Sequence, residues 1–255
     1  MTRKGRKPKS LALLVGLRKV NKDKYDGWAG VSGCWGCELD VDNVERILAP
    51  LGYQSTILKT AQATRRKVLD GLAQATKLRS GDIFVFYYSG HGGQQPDQSG
   101  PKKDELDGQD ETLVLYDGEL RDDSLNEVWM SIKPGVRVVM VSDSCNSGSN
   151  YKNLGRTRVA TPIVPLDTKA ARSMRAQMIH MGGCRDSKTS TGYASGSLFT
   201  KAFCDVYGSG LRKPYKSFYN EVYKLVVAEE PGQQPAYNEY GPVRAGFRNQ
   251  RPFAI

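Results

Sequence analysis

The sequence predicts an α/β fold, a three-layer sandwich in which a mostly parallel central sheet carries helices on both faces. Three observations predict it. Continuous apolar runs recur at Leu11–Leu17, Ile83–Tyr88 and Val136–Ser142, the pattern of strands buried on both faces rather than one. Stretches with apolar residues at helical spacing stand between such runs. Strands alternating with helices imply parallel strands joined by crossovers.

In chain order, Met1–Ser10 is a basic arm and Leu11–Leu17 the first strand. Asp40–Leu51 puts Val41, Val44, Ile47, Leu48 and Leu51 on one helical face, with Asp40 or Asp42 as the expected cap and Pro50-Leu51-Gly52 as the stop. Tyr53–Leu58 reads as a strand, and Thr64–Leu78 as a helix with Val68, Leu69, Leu72 and Ala75 inward. Gly81–Asp82 turns the chain into Ile83–Tyr88, whose β-branched and aromatic content makes it the strongest strand signal. Residues 92–110 read as a long Gly/Gln/Asp/Lys loop, Thr112–Tyr116 as a short strand, Asp122–Ile132 as a short helix. After Val136–Ser142, residues 146–175 lack periodicity and read as a mobile loop. Met178–Gly182 resumes as a strand; Leu198–Tyr207 and Tyr215–Glu230 read as helices. One domain, residues 11–255, is expected beyond the arm: a larger part to about residue 150, the loop at 151–175, and a smaller part from 176.

A 255-residue chain with 39% hydrophobic and 25% charged residues suits a globular protein with a real core. No apolar run nears the roughly 20 residues that span a bilayer, and Leu11–Leu17 is too short for a secretory signal. A cytoplasmic protein is expected, with no membrane partner. The five cysteines, Cys34, Cys37, Cys145, Cys184 and Cys204, are odd in number, which argues for reduced thiols. The net charge of +10 raises the question of nucleic acid, but residues 1–10 and 151–175 carry the whole excess, so no folded basic face is implied.

In a parallel sheet, reactive groups collect beyond the carboxyl ends of the strands. Ile83–Tyr88 runs into Ser89-Gly90-His91-Gly92-Gly93, and Val136–Ser142 into Asp143-Ser144-Cys145-Asn146-Ser147-Gly148. If these strands are neighbours, His91 approaches Cys145. An imidazole beside a thiol takes its proton to make the nucleophilic thiolate, then protonates the leaving amine. The backbone N–H groups of Gly92 and Cys145 are candidates for an oxyanion hole. Taken singly, each residue has a bland reading, a structural His or a buried Cys; the joint pattern favours catalysis.

Tyr87–Gly93 (YYSGHGG) and Asp143–Gly148 (DSCNSG) resemble the two signature segments of the metacaspases and their bacterial relatives, the orthocaspases. Gly36–Val41 (GCELDV), Asp104–Val114 (DELDGQDETLV) and Gly183–Ser190 (GCRDSKTS) resemble further family segments, so the likeness spans about residues 11–230. Two departures stand out: Asn146 follows the cysteine where the family often has His, and the Gln-Ala-Cys-x-Gly segment of true caspases is absent. The resemblance implies the caspase–haemoglobinase fold, peptide-bond hydrolysis and a monomer. It implies a pocket for the residue before the cut lined by Asp143, Asp186, Ser89 and Cys37. Two carboxylates there select Arg or Lys and repel an acidic side chain.

Residues 97–123 are rich in acids and suit a hard cation or simply a solvated loop. By resemblance, calcium is the expected activator, with Asp107, Asp122 and Asp123 as ligands; the chemistry itself requires no cofactor. In the 151–175 segment, Lys152, Arg156, Arg158, Lys169, Arg172 and Arg175 are candidate sites of self-processing, since exposed basic loops suit an Arg/Lys-directed peptidase. Cys34-Trp35-Gly36-Cys37 is one C-x-x-C pair, too few for a closed zinc site; its redox reading is the minor one. Cys184 and Cys204 are expected to pack in the core and His180 to be structural. The expected partners are peptide substrates with Arg or Lys before the cut and an activating partner. The competing readings are a non-catalytic module of the same fold that binds partners, and a nucleic-acid binder using the basic arm.

Overall fold

The computed structural model describes residues 6–31, 34–96, 109–145, 173–185, 192–193 and 195–255. Strand β1 (Ser10–Gly16) is hydrogen-bonded in parallel to the edge strand β2 (Gln54–Lys59) on one side and to β3 (Ile83–Pro96) on the other. Beyond β3 come β6 (Arg137–Cys145) and β7 (Gln177–Arg185), both parallel. The edge strand β10 (Gln234–Tyr240) is antiparallel to β7, so the order is β10-β7-β6-β3-β1-β2. The predicted mostly parallel sheet is observed.

The period-two alternation of each strand sorts its side chains between two cores. On one face Ala12, Leu14, Val85, Tyr87, Val139 and Val141 pack against α1 (Cys37–Leu48), α4 (Leu198–Gly208) and α5 (Tyr215–Glu229). On the other, Leu13, Val15, Phe84, Phe86, Val138 and Met140 meet α2 (Arg65–Leu72) and α3 (Asp122–Ser131), where Trp129 is the largest fully buried side chain. Each buried Val, Leu or Phe contributes about 1.5–3 kcal/mol relative to exposure, so these two layers hold the sheet between the helices. A short helix, α6 (Ala245–Arg248), precedes the C-terminal residues, where Phe253 is buried against Phe203 and Tyr207.

Several elements differ from expectation. Residues 92–96 are not loop: β3 runs on to Pro96 and pairs antiparallel with β4 (Gln109–Leu115), which pairs in turn with β5 (Gly118–Arg121). Glycine and glutamine hide a strand here because its ladder is supplied by a neighbour, with Thr112 donating to Glu119 at 2.6 Å inside the small sheet. Strand β10, QPAYNEY, was not expected either; an edge strand tolerates Pro and polar residues that a central strand does not. The helix expected at 64–78 is α2 followed by a 3₁₀ turn at Ala73–Lys77. Neither Asp40 nor Asp42 caps α1: Gly36 is its N-cap, without a side-chain cap bond. Asp40 lies inside the first turn and is 1% exposed, while Asp42 pairs with Lys59 at 2.6 Å. Gly16 lets α1 sit this close, since a Cβ there would lie 2.4 Å from the Cys37 carbonyl oxygen.

Candidate active site

Strands β3 and β6 are neighbours, and their register pairs Tyr87 with Val141, Ser89 with Asp143, and His91 with Cys145. The two strand ends that carry the sequence motifs therefore lie side by side at the carboxyl end of the sheet. Gly92 follows in β3, buried and opposite Leu113 of β4. His91 is thus placed where the parallel ladder to β6 ends and the antiparallel ladder to β4 begins.

The His91 ring is 5% exposed, and its Nε2 lies 2.9 Å from the Gly30 carbonyl oxygen. A carbonyl only accepts, so Nε2 carries the proton and Nδ1 is the basic nitrogen. Burial lowers the His91 pKa, with the Gly30 bond opposing it, so the imidazole is neutral near pH 7. Trp28 packs on the ring, centroids 5.0 Å apart. Gly30 has φ +62, and a Cβ there would lie 3.1 Å from the Trp28 indole. Glycine is what brings that carbonyl to the imidazole beneath a tryptophan. Neither Trp28 nor Gly30 was singled out from the sequence; a Gly-rich segment before α1 gives no sign of which carbonyl it presents. Tyr88 holds the other side of the turn, donating at 2.7 Å to the His91 carbonyl and 2.9 Å to that of Val114.

One register step below, two carboxylates share a buried pocket. Ser89 Oγ donates to Asp40 Oδ2 at 2.8 Å, and the Ser197 backbone N–H donates to Asp40 Oδ1 at 3.0 Å. Asp143 Oδ2 accepts from the Ser197 hydroxyl, from the Thr200 hydroxyl at 2.5 Å and from the Thr200 N–H at 3.1 Å. Ser197 is the N-cap of α4, so the positive end of that helix faces Asp143. Tyr87 completes the chain, its hydroxyl 2.7 Å from Thr200 Oγ1. Among the described residues, no lysine or arginine forms an ion pair with either carboxyl group. Burial raises both pKa values; for Asp40, burial and the nearby Asp143 charge push it up to about 7. A buried carboxylate pair is costly to ionise even when hydrogen-bonded, and is stabilised by an arriving cation.

Of the residues expected to line this pocket, Ser89, Asp143 and Cys37 are brought together: the buried Cys37 thiol lies close enough to Ser89 and to the Asp40 carboxylate to be influenced by both. Asp186 lies outside the described residues. Asp40 was read from sequence as a helix cap and is instead the second carboxylate. The signal was present in the spacing: Cys37, Asp40, Val41, Val44 and Leu48 repeat as one helical stripe, so a charge at 40 had to face inward.

For calcium, Asp107 lies outside the described residues. Asp122 and Asp123 begin α3, and Asp122 Oδ1 accepts the Asp123 N–H at 2.9 Å. No three His, Cys, Asp or Glu side chains converge among the described residues. Of the processing candidates only Arg175 is described, and it is exposed just before β7; Lys152, Arg156, Arg158, Lys169 and Arg172 lie outside. His180 is wholly buried in β7, its Nε2 2.8 Å from Ser142 Oγ. Among the described residues no helix is long and apolar enough to cross a membrane.

Residues 9–243 match the family model for the caspase domain. Metacaspase-1 of Mycosarcoma maydis is 26% identical over 299 aligned positions, covering 92% of this chain and 71% of that protein. Metacaspase-1 of Candida albicans is 40% identical over 128 positions, covering 43% of this chain and 28% of that protein; the chain thus spans less than a third of the latter's length. A Geobacter sulfurreducens protein of known crystal structure superposes with TM-score 0.79 at 36% identity, covering 97% of this chain and 99% of that one. Caspase-1 from Spodoptera frugiperda superposes with TM-score 0.62 at 13% identity, covering 92% and 88%, a likeness of fold.

Proposed function

Because this chain belongs to the caspase-domain family of cysteine peptidases, we propose that it hydrolyses peptide bonds after Arg or Lys, with His91 as general base and Cys145 as nucleophile. The observation that carries the reading is the β3–β6 register, which sets position 91 beside position 145 and, one step below, Ser89 beside Asp143. Catalysis and the choice of substrate are thereby built on the same two strands.

The mechanism follows from the groups at hand. Neutral His91 takes the Cys145 proton, and the thiolate attacks the scissile carbonyl. The N–H groups of Gly92 and Cys145 are assigned to the developing oxyanion. His91 returns the proton to the leaving amine, and a water activated by the same imidazole hydrolyses the thioester. The Gly30 carbonyl steadies the imidazolium formed midway. A guanidinium or ammonium entering beside Asp40 and Asp143 meets two carboxyl groups and is attracted to them, while Asp or Glu brings a third negative charge. The exposed Arg175 remains a candidate for self-cleavage under the same specificity.

The test uses fluorogenic peptides ending in Arg, Lys or Asp, with calcium or chelator, on wild type, His91→Ala and Cys145→Ala. Cleavage after Arg and Lys alone, lost by a factor of about 10³ or more in both variants, is expected. Cleavage after Asp overturns the pocket assignment, and turnover surviving Cys145→Ala overturns the nucleophile. Self-processing is read on a gel: bands in wild type that Cys145→Ala lacks support it, and identical patterns dismiss it.

A further inference from the structure

Cys37 of the pocket and its neighbour Cys34 form a pair with no part in breaking the peptide bond. Cys34 and Cys37 are both buried and both free thiols, three residues apart at the start of α1. The Cys37 N–H donates to the Cys34 carbonyl at 3.3 Å, closing a tight turn. Such a turn holds the first and fourth Cα atoms within about 7 Å, inside the range a disulfide spans. The two thiols lie close enough to influence each other, and Cys37 is close to Ser89, which in turn donates to Asp40. Trp35, in the turn between the thiols, is 55% exposed, so the turn lies at the surface with Cys34 and Cys37, 3% and 6% exposed, just beneath it. Among the described residues no further ligands gather to make the pair a metal site.

We propose that Cys34 and Cys37 are a dithiol–disulfide couple whose oxidation withdraws Cys37 from Ser89 and weakens the acidic pocket. The oxidant class is a low-molecular-weight disulfide. One thiolate of the pair attacks an oxidant sulfur and expels a thiolate; the second thiol attacks the mixed disulfide and expels the other half. The protein loses two protons and two electrons, and the oxidant is reduced to two thiols. The neighbouring Cys34 and burial hold the Cys37 thiol well above its ordinary value, so the exchange quickens as pH rises. The consequence for binding rests on the acidic pocket being where substrate anchors; formation of the disulfide does not.

The experiment uses Cys145→Ala, which removes the competing nucleophile, equilibrated in buffers from reduced to oxidised glutathione. Residues 25–46 form one tryptic peptide holding both cysteines. Its mass reports the disulfide as a loss of two hydrogens, and alkylation reports the free thiols. Binding is measured with whichever peptide wild type cleaves best. We expect a reversible internal disulfide, affinity about tenfold weaker when oxidised, the scale of one polar contact, and no internal disulfide in Cys34→Ser/Cys145→Ala. Thiols alkylatable at every ratio, glutathione adducts alone, or a disulfide without change in affinity each overturn the proposal. If that best peptide ends in neither Arg nor Lys, the specificity reading falls, and the disulfide readout alone decides the dithiol couple.

Discussion

Asp40 shows how much chemistry one side chain acquires from its surroundings. In water it is an ordinary carboxylate; between Ser89, Ser197 and Asp143 its pKa is pushed up to about 7, burial first and the Asp143 charge second. A basic side chain binds the ionised form, so affinity for Arg peptides should rise as Asp40 deprotonates. We expect KM to fall between about pH 6 and 8 in wild type and that pH slope to vanish in Asp40→Asn, with kcat/KM down about 10- to 100-fold; an unchanged slope removes Asp40 from the pocket. His180 is the opposite case. Burial lowers it to about 4 from an ordinary 6.5. Its folded pKa lies below the unfolded one, so its contribution is complete above pH 6.5 and is lost as pH falls toward 4, by about 3 kcal/mol. Urea midpoints for wild type should drop across that window and those of His180→Leu should drop less; parallel curves refute it. Asp143 was legible from sequence because it stands two residues before the candidate nucleophile in a strand. Gly30 and Trp28 were not, because a backbone carbonyl leaves no mark on residue type.

At the scale of elements, the decisive contact is between α1 and the end of β1. A Cβ at position 16 would meet the Cys37 carbonyl oxygen at 2.4 Å and Val41 Cγ2 at 2.6 Å. The same first turn of α1 carries Cys37 and Asp40, so displacing it moves both the fold and the pocket. Gly16→Ala should cost about 1–3 kcal/mol and raise KM for basic peptides, read by thermal melts and steady-state kinetics together; a variant with native values for both refutes the coupling. The strands that were legible from sequence are those buried on both faces, where water exclusion demands continuous apolar residues. The extension of β3, the partner strands β4 and β5, and the edge strand β10 were not, because their ladders depend on a neighbour rather than on their own hydrophobicity.

For the molecule as a whole, the carboxyl-terminal residues lock the opposite end of the sheet. Phe253, at φ +63, is fully buried; its carbonyl accepts from the Tyr53 hydroxyl at 3.0 Å and its N–H donates to the Tyr215 hydroxyl at 2.8 Å. Arg137, from β6, donates to the Ala254 carbonyl at 3.1 Å and to Gly81 at 2.9 Å. These bonds tie β6 and the segment before β2 to α5 from both sides of the 146–175 stretch, so the two halves hold together independently of that connection. Phe253→Ala should lower Tm by about 10 °C, from a loss of about 3–5 kcal/mol, while kcat, set at the far end of the sheet, stays near wild type; a melting point unmoved by the change refutes the lock.

The sequence by itself determined that strands and helices alternate and that a histidine and a cysteine each end a buried strand. Those follow from local rules, in which apolar periodicity is set by burial and strand ends by glycine and charge. Only the tertiary structure decided that β3 and β6 are adjacent and in the register that pairs 91 with 145. It alone turned Asp40 from an apparent cap into a buried partner of Asp143. Register and partner choice are long-range properties: they depend on which surfaces meet when two cores close at once, and no local pattern of residues encodes that.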